Sequence, residues 1–390
     1  MKACGMRVRY CLTALILLSE LASYGQLPQD NFEIRSDVWG TTRQVKVWMP
    51  ESYLEDDTTS FAVLWVLDAQ SETFWQMVCG NLAYLQSKDQ IIPCIAVGIV
   101  SPDRSYEYSP LHRELADHLQ IELMPYIRDH YRTTPLDIVM GHSWAGAFVA
   151  NTLFSDDSDL FEAYLAISPS LSAIDGRILN QADSVLVAEM KTPKVFYCAT
   201  GDLGIEEAES IEDMAAMSEI CLKYSNPALA WLPSRIEKTD HFSCVAPAMV
   251  DGLLSICSRY MASERMVNNW VVETGGEILP LLEIYGKYNG HSFGYWYSPP
   301  VSYWGKLADS YLQLEEFITA RDLYLFGLQN GDENVVNAFN LALTYEALED
   351  RGNARKHFLR ADELLEQQKD QIKESLYRSL KKAVGEKLGE

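Results

Sequence analysis

The chain has 390 residues, 48% of them hydrophobic and 11% aromatic, with a formal net charge of −23. That length accommodates one large domain and a smaller one. The charge argues against nucleic acid or an anionic membrane surface as a partner, because both would repel so acidic a chain.

The first 25 residues read as a secretory signal. Lys2, Arg7 and Arg9 make a basic start, Tyr10 to Leu18 is an apolar run too short to span a bilayer, and Ser23 and Gly25 are small residues before Gln26. Cleavage there would leave a charge of (32 − 3) − (55 − 1) = −25. The expected location is periplasmic or extracellular, an oxidising compartment. Six cysteines remain after the signal: Cys79, Cys94, Cys198, Cys221, Cys244 and Cys257. They form no C-x-x-C pair, so a zinc site is not expected; no cofactor is expected. Cys94 and Cys198 lie in apolar runs and are read as buried thiols.

Residues Phe32 to Pro50 read as a hairpin, with Val45, Val47 and Met49 alternating. Phe61 to Leu67 is apolar throughout, as a strand buried on both faces must be, and ends at Asp68-Ala69-Gln70. Phe74 to Ser87 is amphipathic. Ile91 to Val100 is the next buried strand, followed by the tyrosine-rich loop 101–110. His112 to Tyr131 carries Leu115, Leu119, Leu123 and Ile127 at helical spacing.

The stretch Ile138 to Phe148, IVMGHSWAGAF, passes from a β-branched run through a serine into a helical run. That is the layout of a nucleophile elbow, in which a tight turn lifts the serine hydroxyl above the sheet. The usual pattern is Gly-x-Ser-x-Gly; here Ala145 takes the last position and Gly146 follows. Ser143 is the candidate nucleophile. His142 is expected to point back under the turn.

Tyr164 to Ser168 and Val195 to Thr200 are further strands, the second followed by an acidic loop, Gly201 to Glu209. Met214 to Tyr224 reads as a helix, Ala228 to Leu232 as the last strand, and Ala246 to Tyr260 as the closing helix. Strands alternating with helices indicate an α/β fold: a mostly parallel sheet covered by helices on both faces.

A serine needs an imidazole to take its proton. His241, in the loop after the last strand, is the candidate base. The acid that orients it is expected in the acidic loop, from Asp202, Glu206, Glu207 or Glu209. The oxyanion donors are expected to be backbone amides of Trp144 and of the Asp68 to Gln70 turn, from Ala69 or Gln70.

A second unit begins near Trp304. Shifted by 34 residues, the sequence matches itself: Leu307 with Leu341, Ala308 with Ala342, Tyr311 with Tyr345, Leu314 with Leu348, Ala320 with Ala354. That is tetratricopeptide spacing, with small residues where paired helices touch. Two repeats need caps, expected from residues 277–288 and from a C-terminal helix over 362–384. The divisions read as 1–25 signal, 26–262 hydrolase domain, 263–302 helical linker and 303–390 small all-α repeats, which could dock a protein partner.

Taken together, residues 32–260 resemble the esterase family of α/β-hydrolases that includes enterochelin esterases, S-formylglutathione hydrolase and feruloyl-type esterases. The resemblance rests on Val63-Leu64-Trp65-Val66-Leu67-Asp68, Ala96-Val97-Gly98-Ile99, Glu122-Leu123-Met124-Pro125-Tyr126-Ile127, Gly141-His142-Ser143, Ile167-Ser168-Pro169-Ser170 and His241-Phe242-Ser243. It implies an α/β-hydrolase fold and a metal-free serine esterase with Ser143 and His241 in the site. The family's spacing favours Glu206 over Asp202 as the acid, and some relatives work with a Ser-His dyad. The family turn often reads Leu-Asp-Gly where this chain has Leu67-Asp68-Ala69. Siderophore esters, acylated glycans and small acyl esters all fit as substrates. A silent hydrolase-like scaffold and an acyltransferase are the alternative readings.

Overall fold

The computed structural model describes residues 29–389, except 56, 189, 262–263, 275–276, 284–293, 296 and 298–301. The chain divides into two compact units, with Ile256 ending the first and Cys257 beginning the second.

The first unit is built on an eight-stranded sheet. Its strands are β1 (Gln29–Ser36), β2 (Thr41–Trp48), β3 (Phe61–Val66), β4 (Cys94–Ile99), β5 (Thr133–His142), β6 (Ala163–Ile167), β7 (Lys194–Thr200) and β8 (Leu229–Arg235). They lie in the order β1-β2-β4-β3-β5-β6-β7-β8. The pairs β1·β2 and β2·β4 are antiparallel and all the others parallel. Every residue of β3, β4, β6 and β7 is buried, which is why these segments read as unbroken apolar runs.

Helices cover the sheet: α1 (Glu72–Ser87), α2 (Arg104–Glu107), α3 (Trp144–Leu153), α4 (Ala173–Leu186), α5 (Ile205–Tyr224) and α6 (Val245–Cys257). A further helical run covers Glu114–His118, Leu119–Leu123 and Met124–His130, its middle segment widened to a π turn. One expected loop is largely helical. The acidic loop ends at Gly204, and α5 starts at Ile205, far earlier than the Met214 expected from its apolar residues. Glycine permits the left-handed φ of 92° at the helix entrance, and Glu206 and Glu207 in the first turn favour its positive end. What read as a solvated acidic loop is a helix start.

Two polar clamps hold the periphery of the sheet. Glu122 accepts hydrogen bonds from Ser36 Oγ (2.6 Å), from the Asp37 and Val38 amides (2.7 and 3.0 Å) and from His118 Nδ1 (2.5 Å), which fixes the β1–β2 turn. Arg43 on β2 meets Glu107 with two parallel hydrogen bonds of 2.8 and 2.7 Å, both side chains being buried. Arg43 also donates to the Val100 carbonyl. This pair ties β2 to the loop after β4.

The second unit is helical: α7 (Glu264–Thr274), α8 (Ser302–Gln313), α9 (Phe317–Gln329), α10 (Val335–Ala347), α11 (Arg351–Gln367) and α12 (Glu374–Leu388). From α8 to α12, consecutive helices pack against one another and are joined by short connections. Ala308, Ala320, Ala342 and Ala354 are all buried where helices meet. The single helix expected over 362–384 is broken at Ile372, whose extended backbone separates α11 from α12. The expected caps at 277–288 lie partly outside the described residues.

Removing one partner of a buried ion pair leaves the other charge desolvated and unmatched. Glu107→Ala should therefore lower the stability of the first unit by about 3–5 kcal/mol in urea unfolding. The double variant Arg43→Met/Glu107→Leu should recover most of that loss. A Glu107→Ala midpoint within error of the parent would show that the clamp contributes nothing.

Candidate active site

Strand β5 delivers the candidate nucleophile. Its apolar residues lie in the sheet centre between β3 and β6, so its C-terminal end opens at the middle of the sheet edge. There Ser143 adopts φ 61°, ψ −120° between strand and helix α3. A non-glycine residue in that region stores roughly 1–3 kcal/mol of strain. Backbone hydrogen bonds hold it: the Ser143 amide donates to the Ile167 carbonyl, and the Ala147 amide donates to the Ser143 carbonyl, both at 2.9 Å. The flanking glycines are steric necessities. A Cβ on Gly141 would stand 2.4 Å from the Ala145 carbonyl oxygen, and one on Gly146 only 3.1 Å from Pro169. Ala145 itself is accommodated, since Gly146 makes the close approach to Pro169.

His241 lies in the loop after β8. Its Nδ1 donates to Glu207 Oε2 at 3.0 Å. A neutral imidazole so bonded carries its lone pair on Nε2, the atom that can take a proton from a hydroxyl. Glu207 is fully buried. Its other oxygen accepts from Ser168 Oγ at 2.6 Å and from the Gly201 amide. Burial alone would raise the Glu207 carboxyl. The bonds from His241, Ser168 and Gly201 outweigh it and hold the group below the usual glutamate range.

The carboxylate on the base is thus Glu207. Of the acids favoured from sequence, Glu206 is exposed in the first turn of α5, and Asp202 accepts from the Thr239 amide at 3.2 Å. Helical geometry gives the reason: adjacent residues point about 100° apart, so only one of Glu206 and Glu207 can face inward. Glu209 bonds Ser172 Oγ instead. The signal that could have separated them is the glycine before α5, once read as a helix entrance.

The oxyanion donors are also corrected in part. The Ala69 amide donates to the Ile99 carbonyl at 3.0 Å, and the Asp68 amide to Tyr108 Oη at 3.0 Å, so neither is free to serve. The Gln70 amide has no acceptor among the described residues. The Trp144 amide is the first of α3 and has none within its helix. Gln70 is held in place by its own side chain, which bonds Asp68 Oδ1 (2.8 Å) and accepts from the Ser101 amide (3.0 Å). Asp68 in turn receives two hydrogen bonds from Arg104, at 2.6 and 2.7 Å.

His142 does not point under the turn. Its Nε2 donates to the His241 carbonyl oxygen at 2.8 Å, and its ring centroid lies 4.6 Å from that of His241. It forms the floor under the base loop. Burial, with the nearby His241 ring adding to it, pushes its pKa down to about 4. Cys79, Cys94, Cys198, Cys221, Cys244 and Cys257 are all buried, with Cys244 Sγ 3.2 Å from Ser168 Oγ.

With this geometry established, comparison with known proteins gives the fold a name. The chain carries an α/β-hydrolase fold. It is similar over its length to the crystal structure of an IroE-like serine hydrolase from Shewanella oneidensis, with a TM-score of 0.62, 18% identity, and 78% of this chain and 100% of that one covered. An uncharacterised protein from Capnocytophaga ochracea superposes with a TM-score of 0.61 at 18% identity, over 86% of this chain and 93% of that one. The enterobactin esterase FES from Shigella flexneri does so with a TM-score of 0.51 at 18% identity, over 59% of each chain. A family model described as "Putative esterase" matches residues 36–221. No curated protein matches the chain.

Acid should loosen this site through His142. With a folded pKa below the free value of about 6.5, the native ring stays neutral while the unfolded one takes up a proton. The contribution to stability is complete above pH 6.5 and is lost progressively as pH falls from about 6.5 toward about 4. Between pH 7 and 4.5 the parent should lose about 2 kcal/mol more than His142→Gln in urea unfolding. Parallel pH profiles for the two proteins would refute the assignment.

Proposed function

We propose that this chain hydrolyses carboxylic esters through an acyl-serine formed on Ser143. The observation that carries the reading is the hydrogen bond from His241 Nδ1 to the buried Glu207, together with a serine held at a strained strand-to-helix turn whose preceding residue, His142, donates to the His241 carbonyl. The matching family model and the hydrolase names of similar structures support it.

In this reading His241 Nε2 takes the Ser143 proton as Oγ attacks the ester carbon. The negative charge that develops on the carbonyl oxygen is held by the amides of Trp144 and Gln70. Collapse breaks the bond to the alkoxy oxygen, which receives the proton from His241 and leaves as alcohol. Water, deprotonated by the same ring, then attacks the acyl-serine. The acid is released, and the serine oxygen recovers its proton from His241. Glu207 fixes the tautomer and stabilises the imidazolium while it exists.

Siderophore esters, acylated glycans and small acyl esters remain the candidate substrate classes. We also read residues 1–25 as an export signal; they lie outside the described residues. The paired helices α8/α9 and α10/α11 we read as tetratricopeptide-like repeats that dock a protein partner. Buried Ala308, Ala320, Ala342 and Ala354, matched at a 34-residue shift, support that reading.

Ser143→Ala should reduce hydrolysis of p-nitrophenyl butyrate by at least about 10³-fold and abolish labelling by a fluorophosphonate, with the melting temperature retained. Undiminished turnover in this variant would remove the assignment. An unlabelled parent with no turnover would instead indicate a silent scaffold. Glu207→Gln should lower kcat by about 10³- to 10⁴-fold, because the amide cannot stabilise the charged imidazole, whereas Glu206→Gln should stay within about twofold. Equal losses in the two variants would contradict the placement of the acid.

A further inference from the structure

We infer that the alcohol part of the ester is neutral and apolar, and that Phe242, with Leu203, selects it. The inference rests on the esterase reading above and deepens it.

The reaction fixes which half of the substrate lies where. The proton that His241 takes from Ser143 must be handed to the leaving oxygen, so the alcohol part lies on the His241 side of the scissile carbon. The carbonyl oxygen faces the amides of Trp144 and Gln70 instead. Phe242 directly follows the base, with its ring centroid 5.3 Å from His241 and 6.1 Å from His142. It is 70% exposed. An aromatic ring standing in water beside a reacting centre gains free energy when an apolar group covers it.

Phe242 does not stand alone. Leu203, 52% exposed, lies on the loop that leads into α5. That loop is bound to the base loop: the amides of Asp202 and Leu203 both donate to the Thr239 carbonyl at 2.9 Å. A Cβ on Gly201 would stand 2.5 Å from the same oxygen, so the two loops pack as one surface. Two exposed apolar side chains, Phe242 and Leu203, therefore lie on the two bonded loops beside the acid and the base.

The charge of this rim sets the second half of the inference. Outside the buried Glu207, segments 201–207 and 235–244 carry Asp202, Glu206, Glu237 and Asp240 against Arg235 and Lys238. Across the site, Arg104 is held by two hydrogen bonds to Asp68. An anionic alcohol part would meet net negative charge here.

The test separates the two halves of the ester. Acetates of ethanol, 1-butanol and benzyl alcohol are compared with ethyl esters of acetic, butyric and hexanoic acid, following acid release in a pH-stat. The acetate of 4-(hydroxymethyl)benzoate supplies an anionic alcohol. We expect kcat/KM for benzyl acetate to exceed that for ethyl acetate by about tenfold, and the carboxylate-bearing ester to fall about tenfold below benzyl acetate. Phe242→Ala should bring the benzyl-to-ethyl ratio to within about twofold of one, while Phe242→Leu should keep an intermediate ratio. Phe242 is exposed, so both variants should melt with the parent. Equal kcat/KM across the alcohols, or a ratio unmoved in Phe242→Ala, would overturn the inference and leave the esterase reading standing. Absence of turnover for every ester, with no fluorophosphonate labelling, would remove both.

Discussion

The buried carboxylate of Glu207 is the constraint on which the site depends. A carboxylate out of water is costly unless its oxygens are bonded. Here the donors come from three places in the chain: Ser168 at the end of β6, Gly201 just after β7, and His241 after β8. Satisfying that one charge therefore fixes the ends of three adjacent strands relative to one another. His241 gains its orientation as a consequence. The same ring is held from below by His142 through its backbone carbonyl, so both its side chain and its main chain are set. The base is positioned by the electrostatic needs of its neighbours rather than by packing alone.

This explains which parts of the site could be read from the sequence. The elbow is local: a β-branched run, a serine and small flanking residues within eleven positions leave few other structures open. His241 was legible because it follows the last strand. Glu207 was not, because adjacent glutamates differ only in which way a helix turns them, and the helix start was hidden in an acidic stretch. Ala69 failed as a donor for a similar reason. Nothing in Leu67-Asp68-Ala69 reveals that the alanine amide is already engaged with Ile99 across to β4. Apolar runs marked the sheet well, since β3, β4 and β6 are apolar throughout and β7 departs only at its ends, Lys194 and Thr200. The polar clamps around Glu122 and Arg43 bring together residues more than sixty positions apart, and periodicity carries no trace of such pairings.

The strain at Ser143 belongs to a wider pattern. Three non-glycine residues with positive φ lie at the C-terminal ends of neighbouring strands: Asp68 (66°) after β3, Ser143 (61°) after β5 and Ser168 (42°) after β6. In open parallel sheets, ligands bind at that edge. Left-handed backbone conformations at side-chain-bearing residues persist only where surrounding bonds over-determine them. Each of these three is so held. Asp68 is fixed by Arg104 and the Tyr108 hydroxyl, Ser143 by the Ile167 carbonyl, and Ser168 by Glu207 through its side chain and by the Ala199 carbonyl through its amide. The strained turns and the polar network are thus one arrangement. The bends place the hydroxyl, the acid's partner and the oxyanion turn at a common edge, and the buried charges keep the bends from relaxing. A substitution that relieves one bend, such as glycine at 168, would remove strain but also a donor to Glu207, and the orientation of the base would loosen with it.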